Sequence, residues 1–172
     1  MSTNLKIYAH YVFYDQNGNV RARVRNLVTT EGLNDILTKY FKGSAYTATP
    51  FVGIINNTGY IAIAGGDTAA KITTSSPGGA NNGWAEFTTY AAATRPALTL
   101  GTAVAGAIDN SASLASFTLS ADLTIKGAFL VTSSTKGGTG GVLISEAVLV
   151  TPLVYLSGQV LPIGIFLSAS ST

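Results

Sequence analysis

The sequence predicts a mainly β fold: an antiparallel β-sandwich, jelly-roll-like, opening with an N-terminal β-hairpin and carrying one short α-helix. Three observations carry that expectation. Leu5 to Val28 reads as two strands around the turn-rich run Asp15-Gln16-Asn17-Gly18-Asn19. Only the segment that follows has a helical period. From Gly43 onward, short β-prone runs alternate with Gly, Asn, Ser and Thr.

The first strand, Leu5 to Tyr14, is aromatic and β-branched, and the second runs from Val20 to Val28. In that second strand Arg21, Arg23 and Arg25 alternate with Val20, Ala22 and Val24. A period of two puts three guanidinium groups on one face and small apolar groups on the other. Two readings stand. The arginines are a solvated face guarding a sheet edge, or they form a basic stripe that docks on an acidic neighbour. With Tyr8 and Tyr11 of the aromatic first strand, they are the candidate partner-binding residues.

The helix is expected over Thr29 to Gly43. Thr29 or Thr30 can cap it, and Glu31 sits in the first turn, where the helix dipole favours an anion. Leu33, Ile36, Leu37, Tyr40 and Phe41 share one stripe at i, i+3, i+4, i+7 and i+8, which predicts a face buried in the core. Lys39 and Lys42 suit the last turn, and Gly43 stops the helix.

The expected later strands are Phe51–Asn56, Tyr60–Ala64, Trp84–Tyr90, Ala97–Leu100, Leu114–Leu119, Leu123–Thr132, Val142–Val150 and Val160–Ser168. Gly65 to Gly83 and Ser133 to Gly141 read as surface loops, the second a mobile tip between strands. Gly127 inside a strand predicts a bulge or a close backbone approach. Trp84 and Phe87 fall on opposite sides of their strand. Arg95, isolated in a neutral region, is expected to pair with Glu86 or Asp67. Nothing divides the chain, so Met1 to Thr172 is read as a single domain: hairpin to Val28, helix to Gly43, sandwich strands from Ser44 onward.

Composition narrows the function. Charged residues make up 10% of the chain against about 25% in ordinary soluble domains. Hydrophobic residues make up 47%, and the mean hydropathy is +0.34. So few charges imply neutral or apolar surface patches of the kind that meet other proteins, and therefore a homo-oligomer or a lattice-bound protein. A net charge of +2 gives no ground for a nucleic-acid partner. No basic start followed by an apolar stretch marks a targeting segment. Ala147 to Thr172 holds no charged residue, but Pro152, Gly158, Gln159, Pro162 and Gly164 interrupt it. Two strands joined at Ser157-Gly158 account for it better than a membrane span. The absence of cysteine suits assembly in a reducing cytoplasm.

Chemistry finds few candidates. His10 is the single histidine and has no visible triad partner, so no catalytic residue is assigned. Zinc would need Cys or His ligands that the chain lacks. Asp67, Glu86, Asp109, Asp122 and Glu146 could offer oxygen, but not in a calcium-loop pattern; Asp67 and Asp109 read as turn residues. Lys136-Gly137-Gly138-Thr139-Gly140-Gly141 precedes a strand rather than a helix and has its lysine on the wrong side for a phosphate loop. No cofactor is expected.

Several segments resemble a family of small tailed-phage virion proteins. They are Asn26-Leu27-Val28-Thr29-Thr30-Glu31-Gly32-Leu33-Asn34, Phe51-Val52-Gly53-Ile54-Ile55-Asn56, Asp67-Thr68, and Gly83-Trp84-Ala85-Glu86 leading to Tyr90 and Thr94-Arg95-Pro96-Ala97. Ile108-Asp109-Asn110-Ser111-Ala112, the Phe117 strand and Ile125-Lys126-Gly127-Ala128-Phe129-Leu130 continue it toward Ser168. The chain departs from the pattern in a longer Ala70–Asn82 loop without a histidine before Gly83-Trp84. It departs again in Gly158-Gln159-Val160-Leu161-Pro162, where the family pattern has Gly-Asp. The resemblance implies a head decoration or cement protein: a small β-sandwich, often a homotrimer, seated on the major capsid protein of a virion and bridging capsid subunits. The rival expectation is a tail-associated or receptor-binding module that holds glycans through Tyr46, Tyr60, Trp84 or Tyr90. A glycan-processing enzyme would need two of the scattered acids in one cleft.

Overall fold

The computed structural model describes residues 5–45, 49–73 and 83–171. The described residues are mainly β, 47% in strands and 9% helical, with antiparallel large sheets and, among these residues, one α-helix. In order the elements are β1 (Leu5–Tyr14), β2 (Val20–Arg25), β3 (Leu27–Val28), α1 (Thr30–Tyr40), β4 (Phe51–Asn56), a 3₁₀ turn (Ala69–Lys71), β5 (Ile72–Thr73) and β6 (Trp84–Ala85). There follow β7 (Ala107–Asp109), β8 (Ala115–Thr118), β9 (Leu123–Val131), β10 (Leu143–Tyr155) and β11 (Val160–Ser171). One sheet has the order β2-β1-β11-β7, with β8 also paired to β11; the other runs β3-β10-β9-β4.

The opening hairpin forms where turn chemistry demands it, but its second strand ends at Arg25, short of the expected Val28, because Leu27–Val28 pairs with β10 in the other sheet. The Asp15 carboxylate accepts from the amides of Asn17 and Asn19, both at 2.8 Å, and Gly18 takes φ +83°. Between the two sheets lies one shared core. Tyr11, Phe13, Ile163 and Ile165 enter it from the first sheet, and Val52, Ile54, Ile125, Leu130 and Ala147 from the second. A smaller core of Ile55, Ala69, Ile72, Trp84, Phe129, Val131 and Leu143 sits on the far side of the second sheet. Trp84 and Phe87 therefore do face opposite ways, each into its own core.

The expected Phe51–Asn56 strand forms with those bounds. Tyr60 to Ala64 is not a strand, and of Trp84 to Tyr90 only the first two residues join a ladder, with single bridges at Glu86 and Tyr90. Ala97 likewise makes one bridge, to Phe51. β10 runs through Pro152 because the register slips between Val148 and Leu153, which frees the proline from donating to the ladder. The charge-free end is two strands around the turn at Gly158, φ +85°. Among the described residues no helix is long and apolar enough to cross a membrane.

Helix α1 corrects one expectation. Its stripe is not core: Leu37 is 54%, Tyr40 81% and Phe41 69% exposed. Only Gly32 is buried, because the helix meets β10 there so closely that a Cβ would lie 2.3 Å from the Ile144 carbonyl oxygen. The start of the helix is fixed firmly. Thr29 Oγ1 accepts from the Gly32 amide at 3.0 Å and donates to the Leu143 carbonyl, and Glu31 Oε2 accepts from the amides of Leu143 and Ala69. Thr29→Ala strands both groups in a buried setting and is expected to cost about 1–2 kcal/mol, read as a lower urea midpoint at unchanged slope.

Arg95 pairs with Glu86, one of its two expected partners. Both are buried, joined by two parallel bonds of 2.8 and 2.7 Å. The guanidinium also donates to the carbonyls of Ser133 and Gly138, and Glu86 accepts from the Gly137 amide at 2.6 Å. Lys136 Nζ donates to the carbonyls of Tyr90 and Ala92 and sits 4.2 Å from the Tyr90 ring centre. The glycine-rich loop is thus folded back and held by two cations rather than standing as a free tip.

Candidate docking face

The register of the first sheet decides which side chains can meet a partner. His10 stands opposite Arg25 and Phe166, and Val12 opposite Arg23 and Gly164. Side chains alternate, so Tyr8, His10 and Phe166 share the outward face with Arg23 and Arg25, over a fully buried Val12. The register slips between Phe13 and Tyr14, and Arg21, expected in the same row, leaves it at this bulge and turns to β10 of the other sheet. Ala9, Tyr11, Phe13, Ala22 and Val24 point the other way, to the core.

That geometry divides the five predicted docking residues. Arg21, Arg23 and Arg25 are exposed, and Tyr8 is half-buried beside them. Tyr11 is fully buried, with its hydroxyl 2.7 Å from Ser145 Oγ, so it belongs to the core and not to any docking surface. Burial also pushes its phenol well above the ordinary tyrosine range.

Each arginine lies over an aromatic ring. The guanidinium carbon of Arg25 is 4.2 Å from the Tyr8 ring centre, that of Arg21 4.6 Å from Tyr155, and that of Arg23 5.8 Å from Phe166. Arg21 also donates to the Val154 carbonyl at 2.8 Å. Ring stacking restrains the long side chains while their N–H edges stay in water, which lowers the entropy lost when they bind an anion. Beneath them, Tyr14, Phe166 and Leu114 close over Gly164. No carboxylate lies within ion-pair distance of the three guanidinium groups among the described residues. The nearest acid in the hairpin, Asp15, is held below the usual carboxylate range mainly by its bond from the Asn19 side chain, with Arg21 a lesser influence.

The remaining candidates separate. Among the glycan-stacking aromatics, Trp84 is fully buried and Tyr90 is 4% exposed, so neither offers a ring to a sugar. Tyr60 is half-buried under Lys126, and Tyr46 lies outside the described residues. Of the acids, Asp109 accepts from the Ser111 amide and Asp122 from the Ser157 amide, both turn contacts at 2.8 Å. Among the described residues no three His, Cys, Asp or Glu side chains gather in a way that could hold a metal. Asp67 and Glu146 do come together, but inside the protein, 6% and 0% exposed. Sequence reasoning missed this pair, since no local spacing connects the two.

A second surface feature is an apolar hollow of about 390 Å³ between α1 and the strands, lined among others by Ile36, Tyr40, Pro50, Leu98, Leu100 and Leu167. It continues the exposed stripe of the helix. No family model matches the chain, and neither a curated protein nor a solved structure does.

Proposed function

We propose that this chain is a non-enzymatic structural protein of a virion, a head decoration protein that assembles in the host cytoplasm as a homo-oligomer, with a trimer favoured. It docks on an acidic surface of the major capsid protein through the arginine face and strengthens the shell by bridging neighbouring subunits. The observation that carries this reading is the pair of ring-stacked guanidinium groups of Arg23 and Arg25 on the first sheet, with Arg21 at the adjoining edge and, among the described residues, no carboxylate within ion-pair distance of any of the three. A sheet face with unneutralised, restrained cations is complementary to an acidic protein surface. The low charge of the chain and its exposed apolar helix stripe support self-association or lattice contact elsewhere on the surface. The resemblance of the Asn26–Asn34 and Gly83–Ala97 segments to phage virion proteins points the same way.

The test is attachment to heads. Arg23→Ser with Arg25→Ser is expected to lower occupancy at least tenfold at moderate ionic strength, with a shallower salt dependence than the wild type and an unchanged unfolding midpoint. Adding Arg21→Ser should weaken attachment further at some cost in stability, because Arg21 also holds the Val154 carbonyl. Unaltered occupancy of folded variants would remove the docking assignment. Copy number in purified virions, by quantitative mass spectrometry, separates a decoration protein in hundreds of copies from a tail or receptor-binding module in a few.

A further inference from the structure

The second core contains a polar contact that its own chemistry leaves incomplete. Glu146, near the start of β10, is fully buried, and its Oε2 accepts from the Trp84 indole N–H at 3.0 Å. Its Oε1 is buried without any donor. The acid it touches is Asp67, whose oxygens are already engaged by Lys71 Nζ at 2.9 Å and the Ala64 amide at 2.8 Å. Two carboxylate oxygens in contact out of water repel, and neither can donate. A proton between them supplies the missing donor and removes one of the two charges.

We propose that Glu146 is held as the neutral acid, donates its Oε1 proton to Asp67, and so forms a proton-dependent latch that ties the segment Ala64–Ile72 to the second sheet. At its end Ile72 pairs with Trp84, and two hydrogen bonds from the start of the helix also hold the segment: Thr30 N–H to the Gly65 carbonyl at 2.7 Å, and Glu31 to the Ala69 amide at 3.1 Å. Neither responds to Glu146. Loss of the proton leaves a buried carboxylate beside Asp67 and drives that part of the segment outward, which loosens the cover over Ile72 and Trp84.

The surroundings decide the range of the switch. Burial is the main force raising the Glu146 carboxyl, to about 8, with the Asp67 charge next; the Trp84 bond and Lys71 act in the opposite direction. Tyr60, from the loop before the latch, and Tyr11, from β1, also sense Glu146, and both phenols are raised. They are neutral through this range. Phe129 of β9 and Leu27 of β3, which flank Glu146 in the sheet, carry no charge.

Trp84 is the single tryptophan and bonds directly to Glu146, so its emission reports the latch. The wild type is expected to show a reversible one-proton change in Trp84 fluorescence centred near pH 8. Glu146→Gln keeps an acceptor for the indole and a donor for Asp67, and its emission should be flat from pH 6 to 10. Asp67→Asn should move the midpoint downward by at least one pH unit, whereas Tyr60→Phe should leave it in place. A flat wild-type profile overturns the proposal, as does the same transition in Glu146→Gln. Should Glu146→Gln fail to fold, amide exchange on the wild type decides. Protection is expected to fall at least tenfold within Ala64–Ile72 above the midpoint while β9 and β11 keep theirs. Unchanged protection in that segment, or equal loss across all strands, rejects the latch. None of these readouts involves capsid attachment, so the outcome stands apart from the function proposed above.

Discussion

Arg95→Met is expected to destabilise the protein by about 3–5 kcal/mol, because it leaves Glu86 charged and buried without its partner. The carboxylate would retain only the Gly137 amide, and the carbonyls of Ser133 and Gly138 would lose their donor as well. For a domain of this size each kcal/mol moves the thermal midpoint by about 2–4 °C, so a fall of roughly 6–20 °C is expected. Calorimetry with an independent fluorescence melt checks it. Pairing the change with Glu86→Leu removes the second charge too, and apolar replacement of a whole buried pair is often close to neutral. The double variant should therefore recover at least half of the loss. A single variant within 1 kcal/mol of wild type would show that water reaches Glu86 and that the pair is not what holds the glycine-rich loop.

Both partners of that pair were legible as candidates, since an arginine alone in a neutral region needs an acid and two were within plausible reach. Choosing between them required the fold. Asp67 instead accepts from Lys71, four residues on, a neighbour visible in sequence only once the 3₁₀ turn is known. The long strands followed from alternation and turn residues, while the Tyr60–Ala64 strand did not form and Arg21 left the expected arginine row at a bulge that a strict period of two does not show. The same period carried a signal about Tyr11: it lies an odd number of positions from Tyr8 and Tyr14, so it had to point away from them, into the core. Helix α1 failed differently. Its apolar stripe is real, but periodicity reports only that a face is apolar and not what covers it. Gly32, too small to register as hydrophobic, marks the true contact with β10. Short elements such as β5 and β7 gave no pattern because two or three residues carry no period. The Glu146–Asp67 contact joins segments with no local relation, so only tertiary structure reveals it.

Gly127→Ala is expected to be the most damaging single methyl that can be added to the sheets. Gly127 lies in β9 between β4 and β10, opposite Ile55 and Val148. Both neighbouring ladders slip register just beside it, so the bulge and the close approach anticipated at this residue are one feature. A Cβ there would stand 2.0 Å from the Ala147 carbonyl oxygen, which is backbone and cannot rotate aside. Relief requires β9 and β10 to part, breaking ladder bonds at the centre of the second sheet. Overpacking usually costs about 1–3 kcal/mol, and a clash with a central strand's backbone belongs at or above the top of that range. Gly158→Ala is the matched control. Its φ of +85° strains an alanine, but nothing stands within 4 Å of the new methyl, so about 1–2 kcal/mol is expected there. Urea unfolding of the two variants should rank Gly127→Ala below Gly158→Ala by at least 1 kcal/mol, or find the former largely insoluble. The reverse order would mean that β9 and β10 can separate locally at little cost, and that the register slips beside Gly127 are a place where the sheet yields.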